Sequence, residues 1–212
     1  PYTVWLATVV VSGISYLSYL LRRYVFHESG ILVSGIIGGL YSSTATISVL
    51  ARKSRKAPAQ EAPEYAAAML LAVSMMFLRF LILIGIFSKA ILAEIYPYLL
   101  IMSFVTAGVA WYLHRKRKSI PVTGEEAEEE DSSNPLEFKV ALIFAVLFVI
   151  FTIVTHYTLI YTGTGGLNVL SFIAGLSDIT PFILNLLQGS GVAVVVVTAC
   201  CMQAIVSNIA VN

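Results

Sequence analysis

Residues 34–51 read SGIIGGLYSSTATISVLA, a run apolar enough to enter a bilayer yet crowded with glycine and hydroxyl side chains. A plain membrane-spanning helix needs ~20 mostly apolar residues and has little use for such a cluster. A second run of the same kind, residues 171–188, reads SFIAGLSDITPFILNLLQ, with Asp178 and Pro181 near its middle. At an offset of 136, Gly39-Leu40 falls on Gly175-Leu176, Thr44 on Thr180, Ile47 on Ile183 and Leu50 on Leu186. Irregular backbone at membrane depth is tolerated only inside protein or along a wet cavity. These two runs therefore decide the fold.

Around them the chain is built for lipid. Only 12% of residues are charged and 58% are hydrophobic, against roughly 25% charged in an average soluble domain. Seven apolar segments can be marked, at about 2–21, 31–51, 65–87, 96–113, 136–160, 167–188 and 192–211. The expected fold is an all-α polytopic membrane protein with two segments broken or re-entrant, in two internal repeats. Segments one to three would match five to seven, with the fourth as connector. Residues 1–113 would hold the first repeat and the connecting helix, 114–135 a charged linker, and 136–212 the second repeat, all within one integral membrane domain.

Basic residues follow the first segment (Arg22, Arg23), the second (Arg52, Lys53, Arg55, Lys56) and the fourth (HRKRK, 114–118). The acidic run EEAEEEDSSNP, 125–135, completes the linker. Loops rich in Lys and Arg lie on the cytoplasmic side. If segment two crosses the bilayer, Arg22 and Arg23 fall on the wrong side. If it dips in and returns, all three clusters share one side. Full crossing makes the repeats parallel, and re-entry makes them inverted. Paired interrupted segments point to a binding site at the bilayer midplane in transporter-like folds. The start at Pro1 and the ending within an apolar run lead us to expect a piece of a longer protein, in a prokaryotic inner membrane with its basic loops cytoplasmic.

The run GIIGGLYSSTATISVLARKSR, 35–55, resembles the signature of the C-terminal membrane domain of MgtC/SapB-type proteins, the family of domain of unknown function 4010. WLATVVVSGISYLSYLLRR (5–23), MFLRFLILIGIF (76–87), AGLSDITPFIL (174–184) and AIVSNIAVN (204–212) are also similar, in the same order. The resemblance implies an N-terminal MgtC-like domain ahead of this one. The chain departs from the pattern at Thr180, where the family commonly has a second acid or a His, and in FSKA (87–90), where it has an Asn.

Asp178 is the most informative residue. An acid at membrane depth costs ~2.5–3.5 kcal/mol on insertion scales, so it faces a partner or a cavity. Three roles are open to it: with Ser177, capping a half-helix at Pro181; binding a cation or proton; or pairing with Arg79. Arg79 could equally bridge the carbonyls of a broken helix or hold an anion. Ser42, Ser43, Thr44 and Thr46 either pack closely behind Gly38 and Gly39 or line a site with oxygen ligands. In the second case Thr44 and Thr180 would meet near the centre. Asn185, Gln188 and Asn208 read as interhelical hydrogen-bonding groups, and the helix breaks fall at Gly38, Gly39, Gly175 and Pro181. His156 joins Tyr157 and Tyr161 in an aromatic belt. Cys200 and Cys201, adjacent on a helix, read as small apolar filler.

No metal-ligand spacing, phosphate-binding glycine motif or nucleophile–base pattern is present, so neither an enzyme nor a cofactor is expected. The function expected is a transporter- or channel-like domain for a small ion, a cation or proton by preference, with its site at the midplane between the two interrupted helices. The alternative is a non-transporting membrane module that binds or regulates partner membrane proteins. Expected partners are the lipid bilayer, a small ion, a second copy packed across Gly35 and Gly39, and the MgtC-like domain, but no nucleic acid.

Overall fold

The computed structural model describes residues 30–115, 138–176, 179–188 and 192–211, with scattered positions between 9 and 20. The helices are α1 (Ile31–Lys56), α2 (Ala62–Phe87), α3 (Lys89–Arg115), α4 (Phe138–Gly175), α5 (Ile179–Leu187) and α6 (Val194–Val211), with a 3-10 turn at Ala59–Glu61. No strand occurs among the described residues. Five helical stretches are long and apolar enough to cross a membrane. Large apolar side chains face outward, as Phe104 at 73% exposure and Ile101 at 61% illustrate. Water would not tolerate such a surface, but lipid does. The chain is an all-α polytopic membrane protein. The first apolar segment and most of the charged linker lie outside the described residues.

The chain sorts into two compact units. One holds residues 30–80 and 98–115, the other residues 81–97 and the described part of 138–211.

In the first unit, α1 is not a single rod. Ser42 takes extended backbone, φ −156° and ψ 107°, inside it. Residues eight apart on a straight helix stand ~12 Å apart along the axis. Yet the Thr46 side chain occupies the space that a Cβ on Gly38 would need. The chain therefore doubles back at Ser42, dividing α1 into α1a (31–41) and α1b (43–56). The packing against α2 agrees. Gly35 lies on the Ala68 backbone, and a Cβ on Gly39 would stand 2.5 Å from the Ala72 Cα. The paired positions rise together, so α1a runs parallel to α2. Residues 57–61 then join α1b to α2, a connection short enough to make those two antiparallel. Small residues allow this backbone approach, and van der Waals packing holds it.

Ser74 and Ser103 tie α2 to α3. Their hydroxyls lie 2.9 Å apart, and the Ser74 hydroxyl also donates to the Ser103 carbonyl at 3.0 Å. Ser88 alone separates α2 from α3. Its hydroxyl accepts from the Ile91 N–H at 3.4 Å, capping α3, while its own N–H closes the last turn of α2 on Ile84 at 2.8 Å. This moves the start of the fourth segment from about residue 96 to Lys89.

In the second unit, α4 breaks at Gly163, where φ is 64° and ψ −150°. Only glycine reaches this region without strain. Thr158 Cγ2 lies 2.8 Å from where a Cβ on Gly166 would be, so the chain reverses here too. The halves are α4a (138–162) and α4b (164–175), so the gap between the segments marked at 136–160 and 167–188 shrinks to one residue. Along α4b and α6, Asn168 meets Cys200, Phe172 meets Ser207 and Gly175 meets Asn208. The order is parallel. The short connection 188–193 makes α5 antiparallel to α6. With α4b parallel to α6, α5 therefore runs antiparallel to α4b. Phe151 packs on Phe182 with ring centroids 5.5 Å apart, fixing α4a beside α5.

Candidate functional site

Helical carbonyls lose their partners at the break in α1 and at the end of α4b. The last four carbonyls of a helix have no partner within it. At the first tip, Arg79 of α2 donates from its guanidinium to the Tyr41 carbonyl at 2.7 Å. A cation at a helix C-terminus also suits the negative end of the helix dipole. This contact with a carbonyl of the broken helix is one of the roles open to Arg79. The Ser42 hydroxyl accepts from the Ala45 N–H at 3.3 Å and caps α1b. Ser43 is buried, Thr46 is half-buried against Gly38, and Thr44 is exposed.

At the second tip the same need is met by different chemistry. Asn208, buried on α6, donates its amide to the Gly175 carbonyl at 3.0 Å. The Ser207 hydroxyl donates to the Phe172 carbonyl at 2.9 Å, and the Leu176 N–H reaches the Ile173 carbonyl at 3.1 Å. Thr180 and Pro181 are buried in the first turn of α5, where a proline costs no helical hydrogen bond. Asn185, half-buried, donates to the Thr152 hydroxyl at 2.6 Å. Ser177 and Asp178 lie outside the described residues, and with them the expected cap and the pairing with Arg79.

Thirty-three residues separate Gly39 from Ala72, and thirty-three separate Gly175 from Asn208. Both glycines approach the following long helix closely, and a Cβ on Gly175 would lie 2.7 Å from the Ala204 carbonyl oxygen. The small-residue face at Gly35 and Gly39, expected to serve a second copy, is covered by α2 of the same chain.

Sequence inspection missed several polar residues. Ser74, Ser103, Thr152 and Ser207 are single hydroxyls in apolar runs and carry no local signature. Glu94 falls between the apolar segments marked at 65–87 and 96–113. It sits on α3, where its carboxylate accepts from the Thr198 hydroxyl of α6 at 3.2 Å. No group of three or more His, Cys, Asp or Glu able to hold a metal occurs among the described residues.

A family model described as a domain of unknown function, DUF4010, matches residues 9–212. The chain belongs to the DUF4010 family. This DUF4010 chain is also similar to an uncharacterized protein of Aquifex aeolicus (strain VF5), with 27% identity over 154 residues. That match covers 70% of this chain and 63% of the Aquifex protein, so it spans less than two thirds of the relative. No solved structure matches the DUF4010 chain.

Proposed function

We propose that this DUF4010 domain is a transporter- or channel-like module for a small ion, with a cation or proton favoured. The observation that carries this is the doubling back of α1 at Ser42, with a second break inside an apolar helix at Gly163 and α4b lying antiparallel to α5 beyond it. A membrane protein that needed only to fill lipid would have no use for two backbone breaks within apolar segments. The ligands we assign are the hydroxyls of Ser42, Ser43, Thr44 and Thr46 at one tip, and Ser177, Asp178, Thr180, Asn185 and Asn208 at the other. Hydroxyl, amide and carboxylate oxygens replace the water around a cation. Arg79 serves as a fixed positive charge that holds the first tip.

The two hairpins belong to an internal repeat of inverted topology. Their glycines stand 136 residues apart, each close to the next long helix. The helical runs between the hairpins, α2, α3 and α4a, are odd in number, the count that an inverted repeat calls for. A re-entrant α1 is the arrangement in which the basic clusters of the sequence, Arg22–Arg23, Arg52–Lys56 and 114–118, share one face. By the positive-inside rule that face is cytoplasmic, in a prokaryotic inner membrane. An MgtC-like domain ahead of residue 1 fits this arrangement.

The test is ion flux into proteoliposomes. Wild type should pass at least one small cation or proton, and Asp178→Asn should abolish or reshape that flux. Unchanged flux of every ion would remove Asp178 from the site. A second reading is a sealed module that binds partner membrane proteins. It is favoured by the break carbonyls of Tyr41, Phe172 and Gly175, which already have side-chain partners. Wild-type liposomes that conduct nothing would select it.

A further inference from the structure

The first unit gathers basic and aromatic side chains at one end. Ser74 lies twelve residues after the start of α2, and Ser103 lies twelve before the end of α3. Their hydrogen bond therefore sets Arg115 level with Ala62. The last turn of α1, carrying Lys53, Arg55 and Lys56, joins that same level through residues 57–61.

Some of this charge is spent locally. Arg52 reaches the Ser48 carbonyl at 3.3 Å, as expected for a base near a helix C-terminus. Arg55 and Lys56 are exposed beyond it. Arg115 stacks on the Trp111 ring, 4.0 Å from its centroid. A guanidinium held by its face keeps its edge donors for a planar or tetrahedral oxyanion. Trp111 is 58% exposed and Tyr112 55%, as suits aromatic rings at the headgroup level. The described carboxylates nearest in sequence, Glu61 and Glu64, are half-buried and buried.

We propose that Arg55, Lys56 and Arg115, with Trp111 as their platform, bind the phosphate headgroups of anionic phospholipid. Exposed bases beside exposed interfacial aromatics on an apolar flank match a lipid, which presents an anion directly above a hydrocarbon surface. Each base near an anionic leaflet is worth about five-fold in binding.

The test is native mass spectrometry of the full chain, delipidated in neutral detergent and titrated with phosphatidylglycerol or phosphatidylcholine. Wild type should retain phosphatidylglycerol preferentially, and added salt should erase the preference. The combined variant Arg55→Gln, Lys56→Gln, Arg115→Gln should lose it, whereas Lys89→Gln, at the other end of α3, should keep it. Equal retention of the two lipids by wild type, or a salt-independent preference, overturns the proposal. So does a triple variant that keeps the preference. If inorganic phosphate alone stabilises wild type and displaces phosphatidylglycerol, the end is a free-phosphate site and the lipid assignment is wrong.

Discussion

Arg79 holds the Tyr41 carbonyl at 2.7 Å, one residue before the backbone of α1 leaves helical geometry at Ser42. The pair lies 38 residues apart in sequence and joins the middle of one apolar helix to the broken tip of another. Hydrogen bonds to charged groups contribute about 1.5–3 kcal/mol, and removing one partner leaves the other unsatisfied. Arg79→Leu should therefore destabilise the protein by about 1–2 kcal/mol, its half-exposure reducing the effect. Arg79→Lys should recover part of the loss. Unfolding in graded SDS–detergent mixtures measures both, and equal stability of Arg79→Leu and wild type would show that the bond does not hold the tip.

The glycines on α1a and α3 give a paired test of packing. Gly39→Ala places a methyl 2.5 Å from the Ala72 Cα, so backbone must move. Overpacking of this kind costs typically 1–3 kcal/mol. Gly108 has nothing within 4 Å of a Cβ and lies inside α3. Gly108→Ala should be neutral or stabilising by up to about 1 kcal/mol. Thermal melts should place Gly39→Ala below wild type and Gly108→Ala level with it or above.

A similar contrast applies to α4. Gly163 has positive φ, whereas Gly165 does not and has open space around it. Gly163→Ala should cost about 1–3 kcal/mol in backbone strain, and Gly165→Ala should cost nothing measurable. The reversal at Gly163 loses its support if the two variants melt alike.

The doubling back of α1 makes a topological prediction that stability cannot supply. Gly30 precedes α1 and Gln60 follows it, and both are exposed. With Cys200 and Cys201 replaced, Gly30→Cys and Gln60→Cys should react with an impermeant thiol reagent from the same side of the membrane. Labelling from opposite sides would mean that α1 crosses, and the inverted arrangement would be lost.

The interruption of residues 34–51 could be read in advance, because glycine and hydroxyl residues at that density oppose a plain spanning helix. Its direction could not be read from those residues. Only the sharing of one face by three basic clusters hinted at re-entry. The reversal depends on a single extended residue, Ser42, and extended backbone is open to any residue type. Gly163, Gly165 and Gly166 fall between the marked apolar segments, yet the helix resumes after one glycine. The start of α3 was missed because Ser88 both closes one helix and caps the next, leaving no loop to mark the junction. Bridging of a broken helix by Arg79 was among the roles that its position allowed, since a guanidinium at depth must find an acceptor. The Ser74–Ser103 clasp was invisible, because two serines 29 residues apart carry no pattern until the helices are aligned.

The bond between Arg79 and Tyr41 also bears on how the protein is made. A ribosome completes α1 well before it reaches Arg79, so during synthesis the tip of α1 enters the membrane without the donor its carbonyl later receives. The hairpin can settle only after α2 has emerged far enough to lay Ala68, Ala72 and Arg79 along it. The order of synthesis thus places completion of the first tip after α2, and a chain cut before Arg79 would lack the donor to Tyr41.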